Sequence, residues 1–299
     1  MKDIVLYCKS YERDFLRLRR LLESIQRFNK DKIFFYISTA ESEKNILEKV
    51  LLGAGDYLWV SDESIVIANP KVKPTIHLDI SGSQAQANIK SEFWRLGICE
   101  NYVCLDSDCI FIRDFSKANF LDNDTPYTVI FQNKDYFQLS IDRGFKKSID
   151  NLIAEADRVK QVFGRKGPNY YCHCPPFIWS AKVWRSLDQN FLIPRHQTVW
   201  DLVTPERPET LVYLEALLAY KAIEIKPVEQ LFRVYYYDWQ YYILRRLGEK
   251  VEKLKENYLG IVYQSNWESE LNYGAPRKPL LSRLFKRFKR FLRYLQSYI

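Results

Sequence analysis

The amino-acid sequence predicts an α/β fold in which a mainly parallel sheet is flanked by helices, and three observations support this prediction. Strand-like and helix-like segments alternate from the first residues onward. Of the 299 residues, 47% are hydrophobic, which is enough for a substantial buried core. An acidic tripeptide also lies directly between two apolar segments, a position typical of a strand end in such sheets.

Strands and helices alternate regularly over the first 60 residues. The helical segments carry apolar residues at spacings of three and four, which is the period of one helix face. The predicted elements are a strand at 3–8, a helix at 12–28, a strand at 32–38, a helix at 42–52 and a strand at 57–60. This order is typical of parallel strands joined by helical crossovers.

The rest of the chain continues the pattern less regularly. Residues 69–83 contain two prolines and predict a loop near the ligand. Further predicted elements are helices at 84–97, 146–163, 181–187 and 209–222, and strands at 102–105, 110–112, 127–131, 177–180 and 258–263. Because we find no internal repeat or early linker, residues 1–270 are predicted to form one catalytic domain and 271–299 a tail.

The positive charge of the protein is concentrated in this tail. Residues 271–299 contain eight basic residues and no acid. Because the whole chain has a net charge of +8, residues 1–270 carry no net charge. A nucleic-acid-binding body would carry the basic charge itself, so no nucleic-acid partner is expected. The first eight residues are too short and polar for a signal peptide, and the six cysteines are expected to be reduced cytosolic thiols.

The most informative motif is Asp106-Ser107-Asp108, which follows the apolar segment 102–105 and precedes 110–112. Two acids at the carboxyl end of a strand are costly unless something offsets their desolvation. Mg²⁺ and Mn²⁺ prefer such oxygen ligands and share them with substrate phosphates. A surface turn is the alternative interpretation of an Asp-x-Asp motif, but the apolar flanks favour a metal site.

The segment from Cys104 to Arg113 (CLDSDCIFIR) resembles the LDSD-x-x-F-x-R segment of glycosyltransferases with the GT-A fold. It is most similar to a bacterial family of GT-A-like proteins. Three less specific segments fit the same family. They are residues 10–15 after the first strand, 86–90 (QANIK) before the acidic motif, and 209–213 (ETLVY) at the start of a helix.

The resemblance implies a GT-A-like, Rossmann-type mixed sheet and transfer of a sugar from a nucleotide-diphosphate donor, with UDP-sugar preferred. Mn²⁺ or Mg²⁺ would bridge the diphosphate to Asp106 and Asp108. The residues it implies for donor binding are Ser10, Tyr11, Asp14, Gln86, Lys90, Asp106 and Ser107. Lys90 could equally be a solvated helix lysine, and Asp14 a helix-start acid favoured by the helix dipole.

An inverting transferase needs a carboxylate that deprotonates the acceptor, and Glu209 is the candidate. Glu209 follows a proline-rich loop and could also be an ordinary helix-start acid; Asp201 and Glu206 are rivals. His173 either faces the acceptor pocket or is a hydrogen-bonded core histidine. Many GT-A enzymes have a late histidine as a third metal ligand, but none follows His196 here, so the alternatives are water or the residues Gln264 and Asn266.

Other functional classes lack their sequence signatures. Cys172-His173-Cys174 is too tightly spaced for a usual structural zinc site. No dinucleotide-binding, phosphate-loop or nucleophile-elbow motif is present. A sugar nucleotidyltransferase would need a glycine-rich N-terminal segment that this chain lacks. A non-catalytic protein that binds nucleotide sugars or glycans at a membrane remains the alternative.

The C-terminal segment 280–299 predicts a basic amphipathic helix, with leucines and phenylalanines on one face and bases on the other. Such helices bind anionic membrane surfaces, each base near the lipid contributing about 1 kcal/mol. Packing on the body, RNA binding and oligomerisation are the alternatives. Membrane binding would place the enzyme at the inner face of the cell membrane, near a glycan or lipid-linked acceptor of surface-polysaccharide synthesis.

Overall fold

Strands and helices alternate through the first 61 residues, as the sequence predicts. The structure is a computed structural model that describes residues 1–130, 134–142, 146–172, 175–235, 238–264 and 279–296. The first elements are β1 (Lys2–Lys9), α1 (Phe15–Phe28), β2 (Phe35–Thr39), α2 (Lys44–Leu51), β3 (Leu58–Ser61), α3 (Asp62–Ile67), α4 (Gly82–Glu92), β4 (Cys99–Leu105) and β5 (Cys109–Phe111).

Shorter strands and further helices make up the rest of the chain. They are β6 (Leu121–Asp122), β7 (Thr125–Val129), α5 (Lys134–Asp142), α6 (Lys146–Val162), β8 (Phe177–Ser180), α7 (Ala181–Leu187), α8 (Val199–Leu202), α9 (Glu209–Tyr220), β9 (Lys226–Val228), β10 (Phe232–Tyr235), α10 (Asp238–Arg246), α11 (Val251–Asn257), β11 (Gly260–Tyr263) and α12 (Leu280–Gln296).

The central sheet has five strands in the order β3-β2-β1-β4-β8. The first four are parallel and β8 is antiparallel to β4, so the predicted α/β class with a mainly parallel, mixed sheet is confirmed. Strand β1 is buried from Ile4 onward because helices cover both faces of the sheet. Moving along the sheet from β1, the chain runs outward through β2 and β3 in one direction and through β4 in the other. Ligands bind at such a reversal in open α/β sheets.

Helix α1 packs on the sheet with the face that its periodicity predicts, and Leu18, Leu21, Leu22 and Ile25 are buried there. Helix α9 differs, because its residues from Thr210 to Leu217 are all buried. An apolar helix without a polar face is typical of the interior of a large domain.

A second sheet, in the order β10-β11-β5, extends the structure beyond the acidic motif. Strand β11 is antiparallel to β5 and parallel to β10. Gly260 begins β11 at a close approach of chains, where a Cβ atom would overlap the Phe232 ring and the Ile110 carbonyl. A third sheet, β6-β7-β9, completes the described strands.

Several boundaries differ from the predictions for local reasons. Strand β2 begins at Phe35 rather than at Lys32, because Lys32 is in the left-handed region (φ 51) and the Asn29 side chain holds both polar backbone groups of Ile33. The helix predicted to reach residue 97 ends as α4 at Glu92. Helices α3, α5, α8, α10 and α11 and strands β6, β9 and β10 were not predicted. Among the described residues, no helix has the length and apolarity needed to cross a bilayer.

Candidate active site

The acidic motif lies where β4 ends, next to the point at which the order of the central sheet reverses. Asp106 and Asp108 are half-buried, and Ser107 is buried. The Cys109 amide donates to the Asp106 carbonyl at 3.0 Å, which closes a tight turn, and the Tyr263 amide donates to the Asp108 carbonyl at 3.1 Å. Backbone hydrogen bonds from two sides therefore fix the motif.

Lys90 extends from the last turn of α4 to this motif, and its Nζ lies 2.5 Å from Oδ1 of Asp106. The Lys90 side chain is 4% exposed and the Asp106 side chain 30%, so the ammonium is enclosed while the carboxylate has access to solvent. Burial alone would lower the pKa of Lys90, but the charges of Asp106, Cys104 and Glu209 and the hydrogen bond to Asp106 together outweigh burial, and the pKa is raised. Lys90 is therefore charged and held in the site, not a solvated helix lysine.

Glu209 begins α9 and lies near the charges of Lys90 and Asp106. Burial raises the pKa of the Glu209 carboxyl, while the ammonium of Lys90 opposes that shift. Burial, together with the charge of Glu209, raises the pKa of the Cys172 thiol to about 12, so Cys172 is also a neighbour. The structure thus brings Asp106, Lys90 and Glu209 together from β4, α4 and α9.

The loop after β1 approaches the same edge of the sheet. The Ser10 amide donates to the Ser38 carbonyl at 2.9 Å, and the Ser10 side chain is buried. Lys9 donates to the Ser10 carbonyl at 2.6 Å and forms a buried ion pair of 2.8 Å with Asp62. The first turn of the loop is therefore rigid.

The later residues of this loop differ in exposure. Tyr11 is half-buried, whereas Asp14 is 6% exposed and forms an ion pair with Arg17. Arg17 is itself 5% exposed and was not predicted as a site residue. Its signal in the sequence is a charged residue within the apolar stripe of α1, a position that requires a buried partner.

The other predicted residues lie in different environments. Gln86 is half-buried in α4. The Asp201 carboxylate accepts from the Thr198 amide at 2.7 Å and from its hydroxyl at 2.8 Å, and so caps α8. Glu206 is exposed and accepts from Thr204. These contacts explain both acids as local structure.

Two predictions for this region fall outside the described residues, those on His173 and Asn266. Gln264 is described: it directly follows Tyr263, the last residue of β11, whose amide donates to the Asp108 carbonyl, so Gln264 lies beside the acidic motif. Within the described part of the chain, no group of three histidine, cysteine, aspartate or glutamate side chains is arranged to hold a metal.

The sequence from residue 3 to residue 259 matches the model of a family described as a family of unknown function, DUF6492. Because this match covers most of the chain, the chain belongs to that family. No curated protein matches the sequence.

Solved structures with a similar architecture include sugar transferases. The galactosyltransferase LgtC in complex with donor and acceptor sugar analogues is 14% identical, with 86% of each chain covered and a TM-score of 0.45. An active-site mutant of LgtC has the same identity and coverage and a TM-score of 0.48. Mouse xyloside xylosyltransferase 1 in its apo form is 11% identical, with 88% of this chain and 98% of that chain covered and a TM-score of 0.47. Likeness at this level assigns no activity to the chain.

Proposed function

We propose that the protein is a glycosyltransferase that moves a sugar from a nucleotide-diphosphate donor to a glycan or lipid-linked acceptor, with Mn²⁺ or Mg²⁺ as cofactor. The observation that carries the proposal is the group formed by Asp106, Asp108, Lys90 and Glu209 at the reversal point of the sheet. Paired acids, an enclosed ammonium and a half-buried glutamate are the parts that binding a diphosphate and activating a hydroxyl require.

The charges of this group suit one divalent cation. Asp106 and Glu209 lie near the ammonium of Lys90, and Asp108 is the second acid of the motif. Three carboxylates and one ammonium leave two negative charges in excess. The ion pair between Asp14 and Arg17 at the start of α1 adds no net charge. Asp106 and Asp108 would hold the metal, and phosphate oxygens and water would complete its shell, as is usual for Mg²⁺ and Mn²⁺. The bound cation would neutralise the leaving diphosphate.

The remaining residues of the site have distinct tasks in this proposal. Lys90 holds Asp106 and adds positive charge beside the phosphates. The loop containing Ser10, Tyr11 and Asp14, with Gln86 from α4, binds the nucleoside. In an inverting reaction the acceptor oxygen forms a bond to the sugar carbon as the bond from that carbon to the diphosphate oxygen breaks, and Glu209 accepts the proton of the acceptor hydroxyl. The N-terminal position of Glu209 in α9 favours its negative form before that transfer.

Isothermal titration calorimetry with Mn²⁺ and UDP-sugars, followed by product analysis, tests this proposal. The Asp108→Asn variant is expected to lose Mn²⁺-dependent donor binding at least tenfold while its unfolding midpoint stays near that of the wild type. Asp3→Asn is the matched control, because Asp3 lies at the amino end of β1 and its side chain forms an exposed ion pair with Lys117. Donor binding without transfer or hydrolysis would instead support the non-catalytic alternative, and synthesis of a nucleotide sugar from a nucleoside triphosphate would support the nucleotidyltransferase.

The C-terminal helix α12 supports a membrane-bound location. Its apolar residues lie on one side and are 42–82% exposed: Leu280, Leu281, Leu284, Phe285, Phe288, Phe291, Leu292 and Leu295. The helix contacts α10. Its bases Arg283 and Lys286 are half-buried, while the apolar side faces outward. We infer that this side enters the inner face of an anionic cell membrane, with residues 271–299 acting as an attachment segment.

Vesicle flotation tests the attachment. The full chain is expected to float with phosphatidylglycerol vesicles, less with phosphatidylcholine vesicles, and hardly at all once Leu284 and Phe288 are replaced by aspartate. Exchange of the exposed Leu52 and Leu78 for aspartate is the control, because these residues lie on the body. Equal flotation of all variants would contradict membrane binding through α12.

A further inference from the structure

Arg17 is a buried charge at the junction of two parts of the site. Its guanidinium is 5% exposed and forms an ion pair with Asp14, one turn earlier. Burial lowers the pKa of Arg17, and the charges of Asp108 and Tyr11 oppose this lowering. Arg17 therefore lies near Tyr11 and Asp14 of the loop after β1 and near Asp108, the second acid of the motif. A buried guanidinium with five donors needs several acceptors to offset its desolvation.

The backbone gives Arg17 a fixed position between these parts. Helix α1 begins at Phe15, directly after the loop that contains Tyr11 and Asp14. The same helix packs along β5, which begins directly after Asp108. The Phe111 amide in β5 donates to Ser24 Oγ in α1 at 3.1 Å, so helix and strand keep one register. A side chain in the first turn of α1 can thus connect the loop to Asp108.

We propose that Arg17 is a positioning residue that links the nucleotide-binding loop to Asp108, so that donor binding and the metal-holding carboxylate depend on each other. This inference rests on the proposed function and adds to it a residue outside the resemblance. The planar guanidinium can hold two carboxylates at once, whereas a lysine ammonium is a point charge that cannot match both.

Two measurements on the full chain test the link, and the first needs no ligand. Urea unfolding of Arg17→Met, Asp108→Asn and the double variant is expected to show non-additive shifts of the midpoint, because residues in one network couple. Additive shifts would overturn the link between Arg17 and Asp108, whatever the protein binds.

The second measurement is calorimetric titration with UDP in the presence of Mn²⁺. Arg17→Met is expected to weaken UDP binding at least tenfold, and Arg17→Lys to restore part of it. Arg27→Met is the control, since Arg27 is an exposed base on the same helix. Wild-type affinity in Arg17→Met, even with a lowered melting temperature, would show that Arg17 is structural only. A wild-type chain that binds neither Mn²⁺ nor UDP would overturn the proposed function, while the unfolding result would still decide the link.

Discussion

Replacing Lys90 with methionine removes the enclosed positive charge and keeps most of the side-chain volume. The ion pair with Asp106 is 2.5 Å long, and the lysine side chain is only 4% exposed. Losing one partner of a fully buried pair costs about 3–5 kcal/mol of the free energy of unfolding. Because Asp106 is 30% exposed, water can solvate it in the variant. We therefore expect a smaller loss, about 2 kcal/mol, in the range for a hydrogen bond to a charged group.

Urea unfolding of Lys90→Met, Asp106→Asn and the double variant measures this contribution. The cycle is expected to give a coupling free energy of about 2 kcal/mol between the two side chains. Lys73→Met is the control: its ion pair with Asp79 is 3.0 Å long but more than half exposed, and exposed pairs contribute about 0–1 kcal/mol. If Lys90→Met and Lys73→Met lower the free energy of unfolding equally, the enclosed pair has no special strength and the reasoning is refuted.

Three further predictions concern α9. Glu209→Gln is expected to keep Mn²⁺ and donor binding but to lose most transfer; wild-type turnover in this variant would remove Glu209 as the base. Because burial raises the pKa of Glu209, activity of the wild type should fall on acidification at a higher pH than an ordinary glutamate would give, as a pH profile of kcat can show. Tyr213→Phe removes the hydroxyl that accepts from the Ser180 amide at 2.8 Å. The unsatisfied amide should lower the free energy of unfolding by about 1–3 kcal/mol, and an unchanged urea midpoint would contradict that value.

The sequence pattern predicted the elements that have a strong period or a distinct end. The apolar stripe of α1 and the apolar strand before Asp106 are examples. The spacing of their apolar residues along the sequence is enough to identify them. Strands β9 and β10 have only three and four residues, too few to show a period. They depend on pairing with distant strands, which a local pattern does not record.

The candidate site was partly visible in the sequence for a similar reason. Asp106 and Asp108 stand out because acids follow an apolar strand. The ion pair of Lys90 with Asp106 joins residues 16 positions apart on two elements, and only the packing of α4 against the sheet brings them together. Asp201 shows the reverse case: Thr198-x-x-Asp201 is a local capping pattern, and the structure shows that cap.

An anomalous difference map from crystals grown with Mn²⁺ and UDP tests the central claim most directly. We predict one manganese peak within coordination distance of the carboxylates of Asp106 and Asp108, with the UDP phosphates beside it and no peak in crystals of Asp108→Asn. A map in which manganese and UDP are absent from this edge of the sheet, with both side chains placed as described above, would contradict the assignment of the site.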